Sequence, residues 1–382
     1  MTYINSLSGA TYPLTVPRWC GDDGALLDLA PVKGVCRDGI HRDQRSVWRY
    51  GGAIAVDPEH IVSLGEGGTP LVPRQWQGTG IHFKLEFMMP TGSFKDRGMT
   101  AMVSYLKSCG IREVLEDSSG NAGASLSAYA AAASMRCRIL VPESASYPKI
   151  AQIAACGADV ITIPGTRQDV ADAALAMSRD IFYASHNWQP FFVEGTKTLA
   201  YELWEDLGFR APDNVVTPLG YGSNVLGLDR GFDELLRSGC IDRRPRIFGV
   251  QAAHCAPCYH AWQAGGETPV ASAVHPTIAE GIASSQPTRL TGILRAVRRS
   301  GGAIAAVSEA EIVSALRDLA RMGFYVEPTS AAGVAGLTQL LATGQIKAGE
   351  TTVMVLTGSG LKASERIGQL LGAKARLLSS PP

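Results

Sequence analysis

The sequence predicts an α/β protein in which parallel sheets are flanked by helices. From Ile81 onward, strand-like runs alternate with helix-like runs, and several strand-like runs lead directly into Gly-, Ser- and Asn-rich loops that open a helix. This alternation is typical of parallel sheets that are covered on both faces and bind ligands beyond the carboxyl ends of their strands. The loops after the strands are therefore the place to look for function.

Length and composition narrow the class of protein. A chain of 382 residues is long for one hydrophobic core and predicts two domains that share a cleft. Lys plus Arg and Asp plus Glu both total 35, which indicates neither a nucleic acid nor an anionic membrane as partner. The sequence shows no signal peptide and no membrane-spanning run, and its eight cysteines are scattered. We therefore expect a cytoplasmic protein with reduced thiols that acts on a small molecule.

The regular part of the chain begins with alternating apolar residues from Ile81 to Phe87, which predict a strand, and helical spacing over residues 94–109. Further strands are predicted at 114–117, 138–141, 159–163, 214–219, 246–250 and 351–356. Further helices are predicted at 121–134, in a segment ending near Gly157, and at 168–179, 195–207, 224–236 and 309–322. Residues 1–75 contain glycine-rich turn signals, which predict an irregular segment that wraps around the rest of the protein.

Residues 90–98 read Pro-Thr-Gly-Ser-Phe-Lys-Asp-Arg-Gly and place Lys95 just inside a predicted helix. One interpretation is structural, because Ser93 and Asp96 fit a capping box that needs no chemistry. The other is chemical, because a lysine amine can form an imine with a carbonyl group. Taken alone, the segment favours the structural interpretation.

Two later loops are suited to anions. Residues 118–125 read Ser-Ser-Gly-Asn-Ala-Gly-Ala-Ser, and their N–H groups and hydroxyls at a helix start can hold a carboxylate. Residues 220–224 read Gly-Tyr-Gly-Ser-Asn and suit a phosphate. This second loop is neither a Walker loop nor a dinucleotide motif, because no Gly-Lys-Ser/Thr ends it and Gly227 comes too late. Either loop could by itself be an ordinary helix cap.

A third loop, residues 357–362, follows the last strong strand. The hydroxyl of Thr357 can face the nitrogen of a heterocycle without carrying charge, although a plain turn explains the fragment equally well. A lysine amine, a phosphate cradle, a carboxylate cradle and a neutral partner for a ring nitrogen together indicate a pyridoxal phosphate site.

With these motifs, the chain resembles the fold-type II pyridoxal phosphate enzymes, which have a tryptophan synthase β-like fold, and within them the threonine synthase family most closely. The resemblance runs from Leu-Gly-Glu-Gly-Gly-Thr-Pro-Leu at 64–71 to the Thr357 loop. It includes Glu-Gly-Thr-Lys-Thr at 194–198 and Glu-Pro-Thr-Ser-Ala-Ala at 327–332. The resemblance implies a homodimer of two-domain chains. Each chain would have an N-terminal wrapping segment, a large cofactor-binding domain and a smaller mobile domain, at residues 1–75, at 76–100 with 195–382, and at 101–194.

The resemblance also implies a role for each matched residue. Lys95 would bind the cofactor covalently and serve as acid and base, while Asn121 would bond the pyridine O3′ and Thr357 would face the ring nitrogen. The residues of the cofactor phosphate cradle would be Gly220, Tyr221, Gly222, Ser223 and Asn224. The residues of the turn that holds the substrate carboxylate would be Ser118, Ser119, Gly120 and Ala122. A Thr at the ring nitrogen favours elimination over transamination.

The chain departs from the threonine synthase pattern at several positions. Phe192 stands where an Asn-Pro-x-Arg-like segment would place the arginine that helps to hold the phosphate of O-phosphohomoserine. Replacing a bidentate donor by an aromatic ring is not conservative, so either another residue binds that phosphate or the substrate differs. Tyr221 replaces an Asn and Ser359 a His, and residues 279–283 are closer to the serine and threonine dehydratase pattern.

Two enzyme functions therefore stay open. The first is a lyase of the threonine synthase kind, which eliminates and replaces a β- or γ-leaving group on a small α-amino acid. The second is a serine/threonine ammonia-lyase or a β-replacement enzyme. A non-catalytic binding module is disfavoured, because Lys95 and all the loops are retained. His186 and Trp188 are candidates for shaping the substrate pocket, although a packed loop explains them as well.

We predict no metal site. Some relatives carry a zinc ribbon near the N-terminus, but the paired cysteines are missing around Cys20. Cys255 and Cys258 have a spacing that could ligate a metal or form a redox pair, yet no second ligand cluster is evident in the sequence. A core or surface position on a helix explains them more simply.

Overall fold

The computed structural model describes residues 1–143, 145 and 147–372. The strands are β1 Thr2–Asn5, β2 Thr11–Pro13, β3 Leu27–Leu29, β4 Leu71–Trp76, β5 Thr79–Lys84, β6 Glu113–Glu116, β7 Arg136–Pro142, β8 Asp159–Ile163, β9 Phe182–Tyr183, β10 Asn214–Pro218, β11 Arg246–Ala252, β12 Ile304–Val307 and β13 Thr352–Val355. The helices are α1 Lys95–Ser108, α2 Asn121–Ala132, α3 Tyr147–Ala155, α4 Arg167–Met177, α5 Pro190–Thr196, α6 Thr198–Asp206, α7 Ser223–Arg237, α8 Pro257–Gln263, α9 Leu290–Ser300, α10 Glu309–Arg321, α11 Pro328–Ala342 and α12 Ser364–Leu371.

Two parallel sheets form the body of the protein. The larger sheet has the strand order β12-β11-β10-β13-β5-β4 and is parallel except for the edge strand β4. The smaller sheet has the order β8-β7-β6-β9 and is parallel throughout. All five residues of the central strand β10 are buried, as expected for a parallel strand with both faces covered. The predicted α/β class, with parallel sheets flanked by helices, is confirmed.

The N-terminal segment is more regular than its sequence predicts. β1 pairs antiparallel with both β2 and β3 to form a small third sheet, so the expectation of an irregular segment was wrong. These strands have only three or four residues, too few for alternation to stand out against the turns between them. The hydroxyl of the buried Tyr3 lies 2.7 Å from that of Tyr105 and ties this sheet to α1.

Helix α11 was missed because its sequence carries little periodicity. Eleven of its 15 residues are buried, so apolar and small residues occupy nearly every side of the helix. A helix that is buried all round gives no amphipathic stripe to read.

The predicted helix at 195–207 is two helices, α5 and α6, which meet at Lys197.

A buried ion network fixes the start of α1. Arg97 is wholly buried, and its Nε and Nη2 donate to the Glu86 carboxylate at 2.7 and 2.8 Å, while its Nη1 donates to Glu202 at 2.9 Å. Lys84 Nζ donates to the same Glu202 carboxylate at 2.6 Å. Although burial alone would raise the pKa of Glu202, Arg97 and Lys84 hold that pKa well below its ordinary value. The network therefore joins α1, which begins at Lys95, to β5 and α6.

A second ion network explains the Glu-Gly-Thr-Lys-Thr motif. Lys197 is fully buried and pairs with the carboxylates of Glu194 and Glu234, and its Nζ also donates to the carbonyl of Ala53 at 2.8 Å. An added Cβ at Gly195 would lie 2.0 Å from the carbonyl oxygen of Arg97, so only glycine lets α5 approach α1 this closely. The motif thus packs α1, α5 and α7 together.

We predict that Arg97→Met lowers the free energy of unfolding by about 3–5 kcal/mol, because Glu86 and Glu202 would remain buried with their main cation removed. Urea denaturation followed by circular dichroism measures the change. Arg295→Met is the matched control, because its partner Glu267 is exposed to solvent. An Arg97→Met midpoint equal to that of the control would contradict the structural importance of the network.

Candidate active site

The predicted site residues surround one cavity of about 600 Å³. The loops that follow β6, β10 and β13 bound it, and Lys95 opens into it from the start of α1. The predicted residues in its lining are Lys95, Ser118, Ser119, Gly120, Asn121, Ala122, Gly220, Tyr221, Gly222, Ser223, Asn224 and Thr357. The structure thus brings the whole predicted set together.

The turn before Lys95 is fastened to the loop that carries Thr357. Gly92 adopts φ +81°, a left-handed conformation that favours glycine, and its carbonyl accepts the N–H of Ser359 at 2.9 Å. The N–H of Phe94 donates to the carbonyl of Thr357 at 3.0 Å. These backbone bonds hold two sequence-distant parts of the site in a fixed relation.

The predicted capping box of Ser93 and Asp96 does not form. Helix α1 begins at Lys95, so Asp96 is its second residue, whereas a capping box needs an acidic group at the third. The Asp96 carboxylate instead accepts the N–H of Thr91 at 2.7 Å and the hydroxyl of Ser125 at 2.5 Å. Burial raises the pKa of Asp96 to about 6, against the effect of these hydrogen bonds. The Ser93 hydroxyl is buried without a partner among the described residues.

The surroundings of Lys95 make its neutral amine more accessible than that of an exposed lysine. Its Nζ lies 4.6 Å from the ring centroid of Phe94 and 5.5 Å from that of Phe192. Burial lowers the pKa of Lys95 to about 8, and the carboxylates of Glu116 and Glu327 only partly oppose this. A lysine with a lowered pKa is a better nucleophile near neutral pH than an exposed one.

The loop after β10 presents unpaired donors to the cavity. Gly222 has φ +85° and precedes the first residue of α7, and an added Cβ there would meet Ile293 at 2.3 Å. In the described part of the chain, the N–H groups of residues 221–224 have no acceptor, and Asn224 Oδ1 is buried without a partner. Donors of this kind at the start of a 15-residue helix form an anion site.

The turn after β6 is built in a similar way. Residues 118–122 lead into α2, and the N–H of Gly120 is taken by the Ser118 hydroxyl at 3.3 Å. The N–H groups of Ser119, Asn121 and Ala122 have no acceptor within the described ranges. They remain available for a carboxylate.

Asn121 and Thr357 are held by neighbours that the sequence did not identify as partners. Asn121 Nδ2 donates to Glu327 Oε1 at 2.7 Å, and its Oδ1 accepts from Lys362 Nζ at 2.9 Å. The hydroxyl of Thr357 lies 3.1 Å from that of the buried Ser330, which also accepts the Thr357 N–H at 2.9 Å. Both polar side chains are thereby oriented at the cavity wall.

These features fit pyridoxal phosphate. The site offers an amine with a lowered pKa, unpaired N–H groups for a phosphate, and a neutral hydroxyl where a ring nitrogen needs no charged partner. Unpartnered buried oxygens at Ser93 and Asn224 leave hydrogen-bonding capacity beside the same cavity. The donor set therefore agrees with the cofactor that the sequence predicts.

The expected arginine position is apolar in the structure. Phe192 is wholly buried, and an added Cβ at Gly98 would lie 2.5 Å from its ring. A cation that sequence reasoning missed, Arg167, lines the cavity and pairs with Asp117 at 2.8 Å. The signal was available, because Arg167 begins the helix after β8 and loops after parallel strands face the ligand site.

Metal and thiol chemistry find little support in residues 1–143, 145 and 147–372. Within these residues, no group of three His, Cys, Asp or Glu side chains could hold a metal ion. All eight cysteines are free, and the thiols of Cys36 and Cys240 are in contact at 2.6 Å. None of the helices described in these residues is both long enough and apolar enough to cross a membrane.

Known proteins resemble this chain along most of its length. A family model described as pyridoxal-phosphate dependent enzyme matches residues 62–358. Threonine synthase of Methanocaldococcus jannaschii is 36% identical over 368 residues, covering 93% of this chain and 91% of that enzyme. Threonine synthase of Mycobacterium tuberculosis is 40% identical over 310 residues, covering 79% and 83%. The processed form of threonine deaminase isoform 2 from Solanum lycopersicum shares the fold, with a TM-score of 0.69 at 20% identity over 94% of this chain and 95% of that chain.

We predict that cofactor-free protein takes up pyridoxal phosphate at a rate that rises with pH, with a midpoint near pH 8 and a plateau above it, because the neutral amine of Lys95 is the reacting form. An ordinary lysine would need a pH near 10.5. Stopped-flow absorption of the bound cofactor measures the rate. Lys95→Ala should give no covalent uptake, whereas Lys107→Ala, an exposed lysine on the same helix, should behave as wild type. Uptake by Lys95→Ala would reassign the attachment site.

Proposed function

Because the chain belongs to the pyridoxal-phosphate dependent enzyme family, we propose that it is a lyase that acts on a small α-amino acid with a β- or γ-leaving group, as a threonine synthase does. The observation that carries this proposal is the single cavity in which Lys95 meets both anion loops and Thr357. A binding module would have no need of an amine with a lowered pKa.

The site geometry supports a cofactor-binding role for each of these residues. Lys95 would bind pyridoxal phosphate covalently, and the loop of residues 220–224 would hold its phosphate. Asn121 and Thr357 would contact its ring. When bound, the cofactor supplies an electron sink for the negative charge that develops at the substrate Cα. The Thr357 hydroxyl is neutral and therefore does not hold a proton on the ring nitrogen by charge.

The chain's own residues then bind the substrate and move its protons. The N–H groups of Ser119, Asn121 and Ala122 would hold the substrate carboxylate at the start of α2, where the helix dipole favours an anion. Lys95 Nζ would take the proton from Cα, since its lowered pKa suits a base near neutral pH. For a γ-leaving group, a Cβ proton must leave as well. The rings of Phe94 and Phe192 beside Nζ keep bulk water from this amine.

We propose O-phosphohomoserine as the substrate, with threonine and phosphate as products. The support is the identity to two threonine synthases over most of the chain, together with the cations Arg167 and Lys362 in the cavity wall. The buried Phe192 favours the second candidate, a serine/threonine ammonia-lyase or a β-replacement enzyme. The dehydratase-like residues 280–283 also line the cavity and support that candidate.

We predict that O-phosphohomoserine gives phosphate and threonine in equal amounts, and that O-phosphoserine, serine and threonine react at least about tenfold more slowly, which corresponds to about 1.4 kcal/mol of discrimination. Phosphate, ammonia and keto-acid assays on the same samples measure the products. Keto acid and ammonia from serine or threonine, without threonine synthesis, would favour the ammonia-lyase. No turnover of any of the four by the yellow holoenzyme would contradict the proposal.

We also propose a cytoplasmic homodimer in which residues 101–194 move against the large domain made of 76–100 and 195–382. Eight free cysteines and the resemblance to this family support the location and the assembly. The smaller sheet lies wholly within residues 101–194, which supports the division into domains. Sedimentation equilibrium should give twice the mass of the chain, and a single-chain mass would contradict the dimer.

A further inference from the structure

His186 and Lys95 both lie near the aromatic ring of Phe192. It follows β9, is 7% exposed and lines the cavity. Its ring packs edge-to-face against Phe192 at 5.5 Å and against Tyr221 at 6.1 Å between centroids. Lys95 Nζ lies 5.5 Å from the centroid of the same Phe192 ring. Two nitrogens that can exchange protons therefore border one side of the site.

Glu116 fixes the orientation of this imidazole. It is the last residue of β6 and wholly buried, and its Oε2 lies 3.2 Å from His186 Nδ1. Its Oε2 also accepts the His186 N–H at 3.0 Å, and its Oε1 accepts the Asp117 N–H at 3.2 Å. Because backbone N–H groups can only donate, the carboxylate accepts on both oxygens, which favours the proton on Nδ1. Nε2 has no hydrogen-bond partner among the described residues.

The two buried groups exchange protons with the cavity as a pair. Burial raises the pKa of Glu116 and lowers the pKa of His186 well below its ordinary value, so the interior disfavours an isolated charge on either. With one proton on Nδ1 the pair is negative, and a second proton at Nε2 makes it neutral overall. Because the pKa of His186 lies well below its ordinary value, the second proton is held weakly at Nε2 and is readily passed to an acceptor in the cavity.

Nearby charged groups change the affinity of His186 for a proton. Lys95 and Arg167 lower the pKa of His186, whereas Asp117 raises it. The Arg167 guanidinium and the Asp117 carboxylate form an ion pair at 2.8 Å, so their effects largely cancel. The titratable groups around the pair are Lys95 on α1, Asp117 directly after β6, Arg167 on α4, Tyr183 on β9 and Tyr221 after β10.

We propose that His186, oriented by Glu116, is a second proton-transfer group of this site beside Lys95. Its Nε2 gives a proton to the oxygen that departs from the substrate and later takes one from the water that enters. The two transfers balance within each turnover, and no other co-reactant is needed. Glu116 is a positioning residue. The proton transfer to a departing oxygen depends on the proposed function, whereas the geometry of the pair of His186 and Glu116 does not.

The first test is His186→Gln in the holoenzyme, because glutamine can still bond Glu116 but does not titrate. We expect kcat to fall about 100-fold or more, with KM changed only a few-fold and cofactor absorption unchanged. One ionisation should disappear from the pH profile of kcat. His41→Gln, at an exposed histidine, is the control. A kcat within about threefold of wild type with the same pH profile would overturn the proposal.

The second test needs no substrate and so separates this inference from the proposed function. ¹⁵N-histidine NMR of cofactor-free protein, with the His186 signals assigned by their loss in His186→Gln, reports the proton on each ring nitrogen. We expect Nδ1 to stay protonated while Nε2 loses its proton as the pH rises. Glu116→Gln should move that change to lower pH, because a negative charge is removed. If Nδ1 is the nitrogen without a proton, Glu116 does not orient the ring as proposed.

Discussion

The position of the reactive lysine depends on a guanidinium that has no contact with solvent. Arg97 is two residues from Lys95, and its carboxylate partners come from two different parts of the chain, Glu86 after β5 and Glu202 on α6. Each buried carboxylate costs desolvation energy that its ion partners and its hydrogen-bond donors offset. A shift of α1 would break several charge-assisted hydrogen bonds at once, so the helix start has one favoured position.

The loop of residues 220–224 depends on a second network of the same kind. Lys197 and its carboxylate partners join α5 and α6 to α7, whose first residues present the unpaired N–H groups. Gly227 and Gly231 on α7 admit the backbone of the α5–α6 junction so closely that an added Cβ would lie within 3 Å of Lys197 or Thr196 atoms. A motif with no atom in the cavity can thus be essential to its shape, which explains why Glu-Gly-Thr-Lys-Thr belongs to the family pattern.

Much of this arrangement could be predicted from sequence because parallel strands send their carboxyl-end loops to one edge. The loops at Ser118, Gly220 and Thr357 follow that rule and line the cavity. Arg167 also follows it, but it was missed because no glycine-rich loop marks its position. The capping box at Ser93 failed because its spacing is satisfied by more than one helix start, and the true start is set by the distant partners of Arg97 and Asp96. Partners far apart in sequence leave no local pattern.

The departure from the threonine synthase pattern at Phe192 is best interpreted together with the residues around it. An arginine there would be a buried cation beside Lys95, and it would disfavour a further positive charge on His186. With phenylalanine in that place, the pair of Glu116 and His186 can accept a proton at Nε2 without facing a third fixed cation on the floor of the site. The loss of a phosphate-binding group and the presence of a proton-transfer pair are therefore compatible features of one pocket. For the proposed substrate O-phosphohomoserine, Arg167 and Lys362 in the cavity wall would supply the counter-charge of the departing phosphate, and His186 would supply its proton.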